Sequence, residues 1–553
     1  MGFVKDSLQI TFKVLGKTKN EAASAALLPA LDSPHATIAL GAVKAILDRR
    51  SGSGITELVR RLDTMSDQWI EMLDERPGRM TAAIRNALLS SDDHLVKNSA
   101  RAILRFKEYD LTPALVNIAE NESHPHAQLA ADTLLSLMQL LYDELAAPRD
   151  YRRRRDPQAV RRHVLSTLEL SIERIAQHKL REIAEAFLIL VNPDHVVLKK
   201  LLQDPHHGGF LTMVDVLRTS DRSGIVRLLL RYLEDPDAPP STINVIAHRT
   251  DVKFITHLLK KIGASPSVAA GGNLKRMTSF GWIGSETKVI ESLDDAAQHA
   301  AIQMVITSGM KRLEAFELLR HLLHYGKPVG RRAAIEALRE FQGGDANELI
   351  VRALEDDDPH VQASAVSQLR NRGIPGALTQ LLEAVNSPHE VVCQAARGCL
   401  DEFSISRYLA AFDMLEDEAR QTTGRLVKKI DLATIPALTQ ELGQPSRTRR
   451  LRALRIAVTI DAIVELEEPI IEQLSDSDHI IRAEAARALS QCRTEATVVA
   501  LRDAMDDKSI SVQEIILESL RTIAESTGEA AASPVAPPLS LDPPAEEATS
   551  WSS

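Results

Sequence analysis

Apolar residues recur along this chain four apart, not two. Val361, Ala365 and Leu369 stand at i, i+4 and i+8, as do Ile481, Ala485 and Leu489, the spacing that lines one face of an α-helix and not one face of a strand. A second apolar-periodic segment precedes such stripes: PALVNIAE (113–120), FELLRHLL (316–323) and NELIVRALE (347–355). The pattern predicts helix pairs. Between helices, Asp358-Pro359, Ser387-Pro388 and Ser33-Pro34 set a side-chain oxygen ahead of a proline, an order that caps the free N–H groups of a helix start and suits its first turn.

The small residue at the centre of each stripe marks a period. It falls at Ala301, Ala334, Ala365, Ala396, Ala453 and Ala485, with Ile516 in the same slot, at intervals of 33, 31, 31, 57, 32 and 31 residues. An earlier series, Ala42, Ala100, Ala131 and Val164, runs at intervals of 58, 31 and 33. The two long intervals are close to doubled, so each is expected to hide one degenerate repeat. A helix pair this short cannot bury its apolar face alone, so neighbours must stack into a continuous core. The expected fold is all-α: a right-handed α-solenoid of stacked helix pairs, forming a curved rod.

The register divides the chain into N-terminal repeats (1–139), diverged helical repeats (140–290), C-terminal repeats (291–525) and a tail (526–553). Within the diverged part HKLREIAEAFLILV (178–191), SGIVRLLLRYLED (223–235) and VKFITHLLKKIG (252–263) still read as amphipathic helices. The tail is rich in Ser, Pro, Ala and Glu with little to bury, a composition that predicts disorder.

The segment DHIIRAEAARAL (478–489), with Asp476 before it, resembles the HEAT repeat, in a short bacterial form of about 31 residues similar to the repeats of phycobilisome-lyase-type HEAT proteins. Arg482, Ala485 and Leu489 match its most typical positions, and the resemblance extends over 22–138 and 291–523. The signatures of tetratricopeptide and ankyrin repeats are absent. Because the matching residues are packing residues, the resemblance implies a fold and says little about activity.

Composition narrows the class further. With 44% hydrophobic residues but only 11 Phe, 3 Trp and 6 Tyr, the chain favours helices over sheets. A net charge of -10 argues against wholesale binding to a polyanion. Cys393, Cys399 and Cys492 form neither a disulfide framework nor a zinc set, which points to a reducing, cytoplasmic setting. The N-terminus does not read as a secretory signal, Asp6 stands where a myristoylation motif after Gly2 needs Ser or Thr, and no apolar run is long enough for a membrane span.

Candidate sites lie where the repeat is broken or leaves positions free. RDYRRRRDPQAVRRH (149–163) holds seven arginines against two aspartates, among them Arg152, Arg153, Arg154, Arg155, Arg161 and Arg162; guanidinium forks suit paired oxygens, so the cluster fits phosphates, an acidic peptide or anionic lipid heads, or else forms a solvated inter-helix loop. SRTRRLRALR (446–455), with Arg449 and Arg450, is a second basic stretch whose arginine stems are expected to cover apolar surface. The segment 264–286 is the longest insertion, and Lys275, Arg276, Phe280 and Trp282 make it either a recognition loop or an internal plug over an irregular junction. On the second helices Arg331, Arg332, Ser364, Ser367, Glu484 and Arg487 are candidates for an exposed binding face.

Chemistry is harder to find. Glu317, His321 and His324 share one helical stripe, but HExxH is absent and an exposed polar face is the expected reading, as for His124/His126 and His206/His207. Cys393 and Cys399 read as core residues of one helix, SGSGITE (51–57) lacks a preceding strand and a third glycine, and neither GxxxxGK nor GxSxG occurs. No cofactor and no enzyme activity are expected. The sequence predicts a non-enzymatic scaffold or adaptor for a protein partner. Alternatives are a nucleic-acid binder using the arginine clusters and, as the resemblance implies, a bilin-lyase-like protein that handles a chromophore.

Overall fold

The computed structural model describes residues 2–76, 78–148, 155–283 and 289–529. Among them every regular element is helical, and no strand occurs. No described helix is long and apolar enough to cross a membrane. Two compact units result, Met1–Phe341 and Gln342–Ser553. The sequence divisions expected at 139/140 and 290/291 fall inside the first.

Helices of the first unit include α1 (Ala36–Arg49), α2 (Asp67–Asp74), α3 (Asp93–Phe106), α4 (Ala127–Ala146), α5 (Pro157–Ile172), α6 (Arg181–Leu190), α7 (Ser223–Leu233), α8 (Val252–Ile262), α9 (Val268–Leu274), α10 (Asp295–Thr307) and α11 (Pro328–Ala337). Their counterparts in the second are α12 (Pro359–Val366), α13 (Glu390–Gly398), α14 (Asp417–Ile430), α15 (Arg447–Thr459), α16 (His479–Leu489) and α17 (Ile510–Glu529). The preceding segments fold as expected, into Thr112–Ala119, Arg312–Tyr325 and Gly344–Arg352. Neighbouring helices stack: α3 on α4, α10 on α11, α12 on α13, α15 on α16 and α16 on α17. Every residue of the register, from Ala42 to Ile516, is buried, because a side chain larger than alanine at most of these positions would hold the stacked helices apart.

The doubled intervals do hide helices. Between Ala396 and Ala453 lies α14, whose buried Gly424 approaches so closely that a Cβ there would stand 2.5 Å from Tyr408 Oη and 2.5 Å from Ile460 Cγ2. Between Ala42 and Ala100 lies the short α2, which buries only Leu73 and packs on α1.

Three expectations need correction. Val164 is buried, but it sits on α5, which packs mainly against α6 and touches α4 and the helix Thr112–Ala119 at its sides; the helix that stacks most extensively on α4 is α6. An apolar i, i+4, i+8 stripe looks the same in either layer of a pair. Nor is α6 amphipathic: Ile183 through Leu190 are all buried, as befits a helix enclosed by α4, α5, α7 and Phe210–Thr219. Finally, of the three capping pairs only Asp358-Pro359 opens a helix, with Asp358 Oδ1 accepting from His360 N at 2.8 Å and Val361 N at 3.2 Å. Ser33 and Ser387 instead close the turn before it, accepting from His35 N and His389 N. The C-terminal helix α17 takes in 526–529, the start of the expected tail, and 530–553 lie outside the described residues.

Candidate interaction surface

Many of the basic residues singled out from the sequence are spent on the protein itself. Three residues ahead of each register mark in the second unit stands a side chain that donates to the carbonyl six residues earlier: Gln362 to Asp356 O (2.6 Å), Cys393 to Ser387 O (3.1 Å), Arg450 to Gln444 O (2.7 Å), Arg482 to Asp476 O (2.9 Å) and Gln513 to Asp507 O (2.7 Å). Each closes the turn that leads into its helix and satisfies a backbone oxygen that would otherwise be orphaned. Arg331 does similar work, NH1 to Gly326 O at 3.0 Å. Arg450 also approaches Asp476 to 2.8 Å with both side chains largely buried. Arg331 and Arg450 are thus rungs of the stack, each held against the turn before its own helix.

The rest divide by exposure. Arg449 is held by Glu441, Nε to Oε2 at 2.7 Å, and Arg332 by Glu336 at 3.0 Å. Ser367 donates to Ser364 O at 2.7 Å and Arg487 to Glu484 at 3.0 Å. Arg155 pairs with Asp110 at 3.2 Å, and Arg162 is exposed. Arg152, Arg153 and Arg154 lie outside the described residues.

The segment 264–286 is not a loop throughout, since α9 occupies its middle, capped by Ser267 accepting from Ala270 N at 3.1 Å. Gly271 and Gly272 are helical. Asn273 is buried and donates to Leu233 O (2.9 Å) and Asp235 O (2.8 Å), capping the end of α7. Arg276 bonds Asn273 Oδ1 and Ala238 O, while Lys275 is exposed. Trp282 is fully buried and Phe280 nearly so, with Gly281 N donating to Ala247 O at 2.9 Å. Burial leaves neither ring a face to offer a partner.

The isolated histidines and cysteines are also accounted for. His321 turns to Glu291 at 3.4 Å and Glu317 to Arg320, His126 meets Asp93 at 3.1 Å, and His207 Nδ1 accepts from Gly209 N at 3.1 Å. No group of three metal-ligating side chains comes together among the described residues. Burial pushes the Cys399 thiol up, away from the thiolate a nucleophile needs.

One concentration of charge had only Arg161 singled out from the sequence. The C-terminal carbonyls of α6 are capped by arginines from two other helices: Arg161 of α5 donates Nε to Leu190 O at 2.8 Å, and Arg227 of α7 reaches Ile189 O at 3.4 Å and Val191 O at 3.5 Å. Arg231, one turn on, donates to Asn192 Oδ1 at 2.9 Å. Cations suit the negative end of a helix, and α7 gets this close because Gly224 carries no side chain: a Cβ there would stand 2.6 Å from Ile189 O. The Arg227 guanidinium lies 5.1 Å from the centre of the Tyr142 ring. Burial, with Arg231 and Arg161 near it, holds Arg227 below its ordinary value, and burial followed by Arg231 does the same to Arg161.

Beside these arginines opens a concavity of about 440 Å³ whose walls are α7 and α8, contributing Arg227 and Arg231 from one and Lys253, His257 and Lys261 from the other, over apolar Val226 and Leu230. Its single acidic lining residue, Glu234, is taken up by Lys261 at 3.2 Å and by Ser267 Oγ. Arg161, Arg227, Arg231 and Lys253 have no carboxylate partner among the described residues. The sequence did carry a signal for this, R-x3-R in α7 and K-x3-H-x3-K in α8, but each stripe alone reads as a solvated helix face.

Stacked helix pairs with buried small residues at a period of about 31 residues and turn-closing polar rungs define an all-helical repeat protein. Two stretches, 316–401 and 435–521, match the family of HEAT repeats; the chain carries HEAT repeats there. No curated relative matches it. Among solved structures it is similar to one of the cadherin and β-catenin interaction, described as controlled by a conserved phosphorylation switch, at 15% identity over 91% of this chain and 99% of that one, with a TM-score of 0.34. An engineered protein follows at 17% identity, 91% and 98% coverage and a TM-score of 0.17. Human deoxyhypusine hydroxylase with glycerol shows 15% identity, 54% and 96% coverage and a TM-score of 0.18. Scores this low carry no argument about activity or partners.

Proposed function

We propose that this chain is a non-enzymatic scaffold that binds a partner protein through positions its repeats leave free. The supporting observation is the α7–α8 concavity, where exposed cations of two neighbouring helices converge with only one, already engaged, carboxylate among them. Repeat stacks use such surfaces between neighbouring units for binding. Many titratable groups elsewhere are engaged in caps, rungs and ion pairs, an arrangement that favours a surface over a reaction centre. The nucleic-acid reading is disfavoured by the net charge of -10, and nothing in the sequence comparisons supports the bilin-lyase alternative.

Affinity capture with the full chain, followed by reconstitution of the captured pair from purified components, tests this. A direct complex with one protein is the expected result. Binding to nucleic acid alone, weakening steeply with salt, overturns it.

A further inference from the structure

The α7–α8 concavity has features that select among partners. Its rim is cationic and exposed at Arg231, Lys253 and Lys261, and its floor is apolar at Val226 and Leu230. Behind the rim, Arg161 Nε and Arg227 NH2 are given to the carbonyls of α6, and both guanidiniums add positive potential. A neighbouring positive charge that has no counter-ion is a standing cost, and an anion bound beside it relieves that cost. Arg231 spends one N–H on Asn192 and, of the five a guanidinium carries, keeps others for a carboxylate.

We infer that the concavity between α7 and α8 takes an acidic peptide segment of a partner protein, with carboxylates on Arg231 and Lys253 and an intervening apolar side chain on the Val226–Leu230 floor. The inference rests on the scaffold reading and names the chemistry of its partner. A volume of about 440 Å³ admits a few side chains. Nucleic acid fits less well. Single strands are held by stacking on aromatic faces, and the one tyrosine lining the site, Tyr142, already faces the Arg227 guanidinium, with no Phe or Trp beside it. A polyphosphate chain also has no use for an apolar floor.

The test uses the full chain and fluorescence anisotropy with a labelled peptide of alternating Glu and Leu. Its Gln-for-Glu counterpart and a labelled single-stranded oligonucleotide serve as comparators. The Glu peptide is expected to bind, to weaken as salt rises to ~0.3 M, and to bind at least about tenfold more tightly than the Gln peptide or the oligonucleotide. The double variant Arg231→Glu, Lys253→Glu, both exposed, is expected to keep the wild-type melting temperature and to lose about tenfold or more in affinity for the Glu peptide. Equal binding of the Glu and Gln peptides, no binding of either, tighter binding of the oligonucleotide, or an unaffected double variant overturns the inference. Testing the double variant against the reconstituted partner separates the two readings. A partner that binds wild type and variant alike removes the concavity and leaves the scaffold, whereas no protein partner for either removes the scaffold.

Discussion

Arg482 holds Asp507 in a two-pronged grip, Nε to Oδ2 at 2.6 Å and NH2 to Oδ1 at 2.8 Å, across the boundary between successive repeats. The same guanidinium donates to Asp476 O, and Asp507 accepts from Ser509 N at 2.7 Å. One pair therefore closes two turns. Arg482, hydrogen-bonded to it, holds the Asp507 carboxyl below its usual value, so the pair's contribution is present above about pH 4 and lost as pH falls through the lowered value. Asp507→Asn should cost about 1–2 kcal/mol at neutral pH, with the difference from wild type shrinking in acid. Urea unfolding at two pH values measures it; a difference that grows on acidification contradicts the assignment.

The stripe that first reveals the repeat makes a sharper demand. Ala365 is fully buried and His360 exposed, five residues apart on α12. Ala365→Leu overfills the stack and should destabilise by about 1–3 kcal/mol, while His360→Ala should fall within about 0.5 kcal/mol of wild type. Thermal unfolding of the two variants side by side is sufficient, and equal tolerance would refute the register.

Trp282 offers a local test of the 264–286 segment. Its indole is enclosed, and Gly281 beside it is pressed against α7's neighbour Pro240–His248, where a Cβ would stand 2.8 Å from His248 O. Trp282→Ala should cost about 3–5 kcal/mol through the cavity it leaves. Hydrogen exchange should show the loss first at Pro240–His248; unchanged protection there would mean the ring is not packing that junction.

What the sequence made legible was whatever repeats within one helix. The stripe through Ala485 needs only its own i, i+4 neighbours to be read, and it marks a buried face correctly wherever it recurs. Gly424 was passed over because the register was written in alanine, although glycine serves the same close approach. Val164 was misplaced because its stripe says which face is buried and not against which layer. Arg450 stood among the candidate binding residues because nothing local reveals its carboxylate, Asp476, 26 residues away. The basic concavity was invisible for the same reason on a larger scale: it exists only once α7 lies on α6 and α8 lies beside α7.

That dependence can be tested at Gly224. The residue lets α7 lie on the backbone of α6 with a Cβ position 2.6 Å from Ile189 O and 2.9 Å from Ile189 Cα, and it sets the distance over which Arg227 reaches the carbonyls of Ile189 and Val191. Gly224→Ala cannot be relieved by a rotamer change, because the obstruction is main chain. The helices must separate by a few tenths of an ångström or more, at about 1–3 kcal/mol. Gly272→Ala is the control: it lies in α9 with nothing within 4 Å of its Cβ position, so added helix propensity should stabilise by up to about 1 kcal/mol. Binding of the Glu–Leu peptide should weaken in Gly224→Ala, measured well below its melting temperature, and stay unchanged in Gly272→Ala. If Gly224→Ala is destabilised yet binds as wild type, the close packing of α7 on α6 supports the fold but does not shape the concavity.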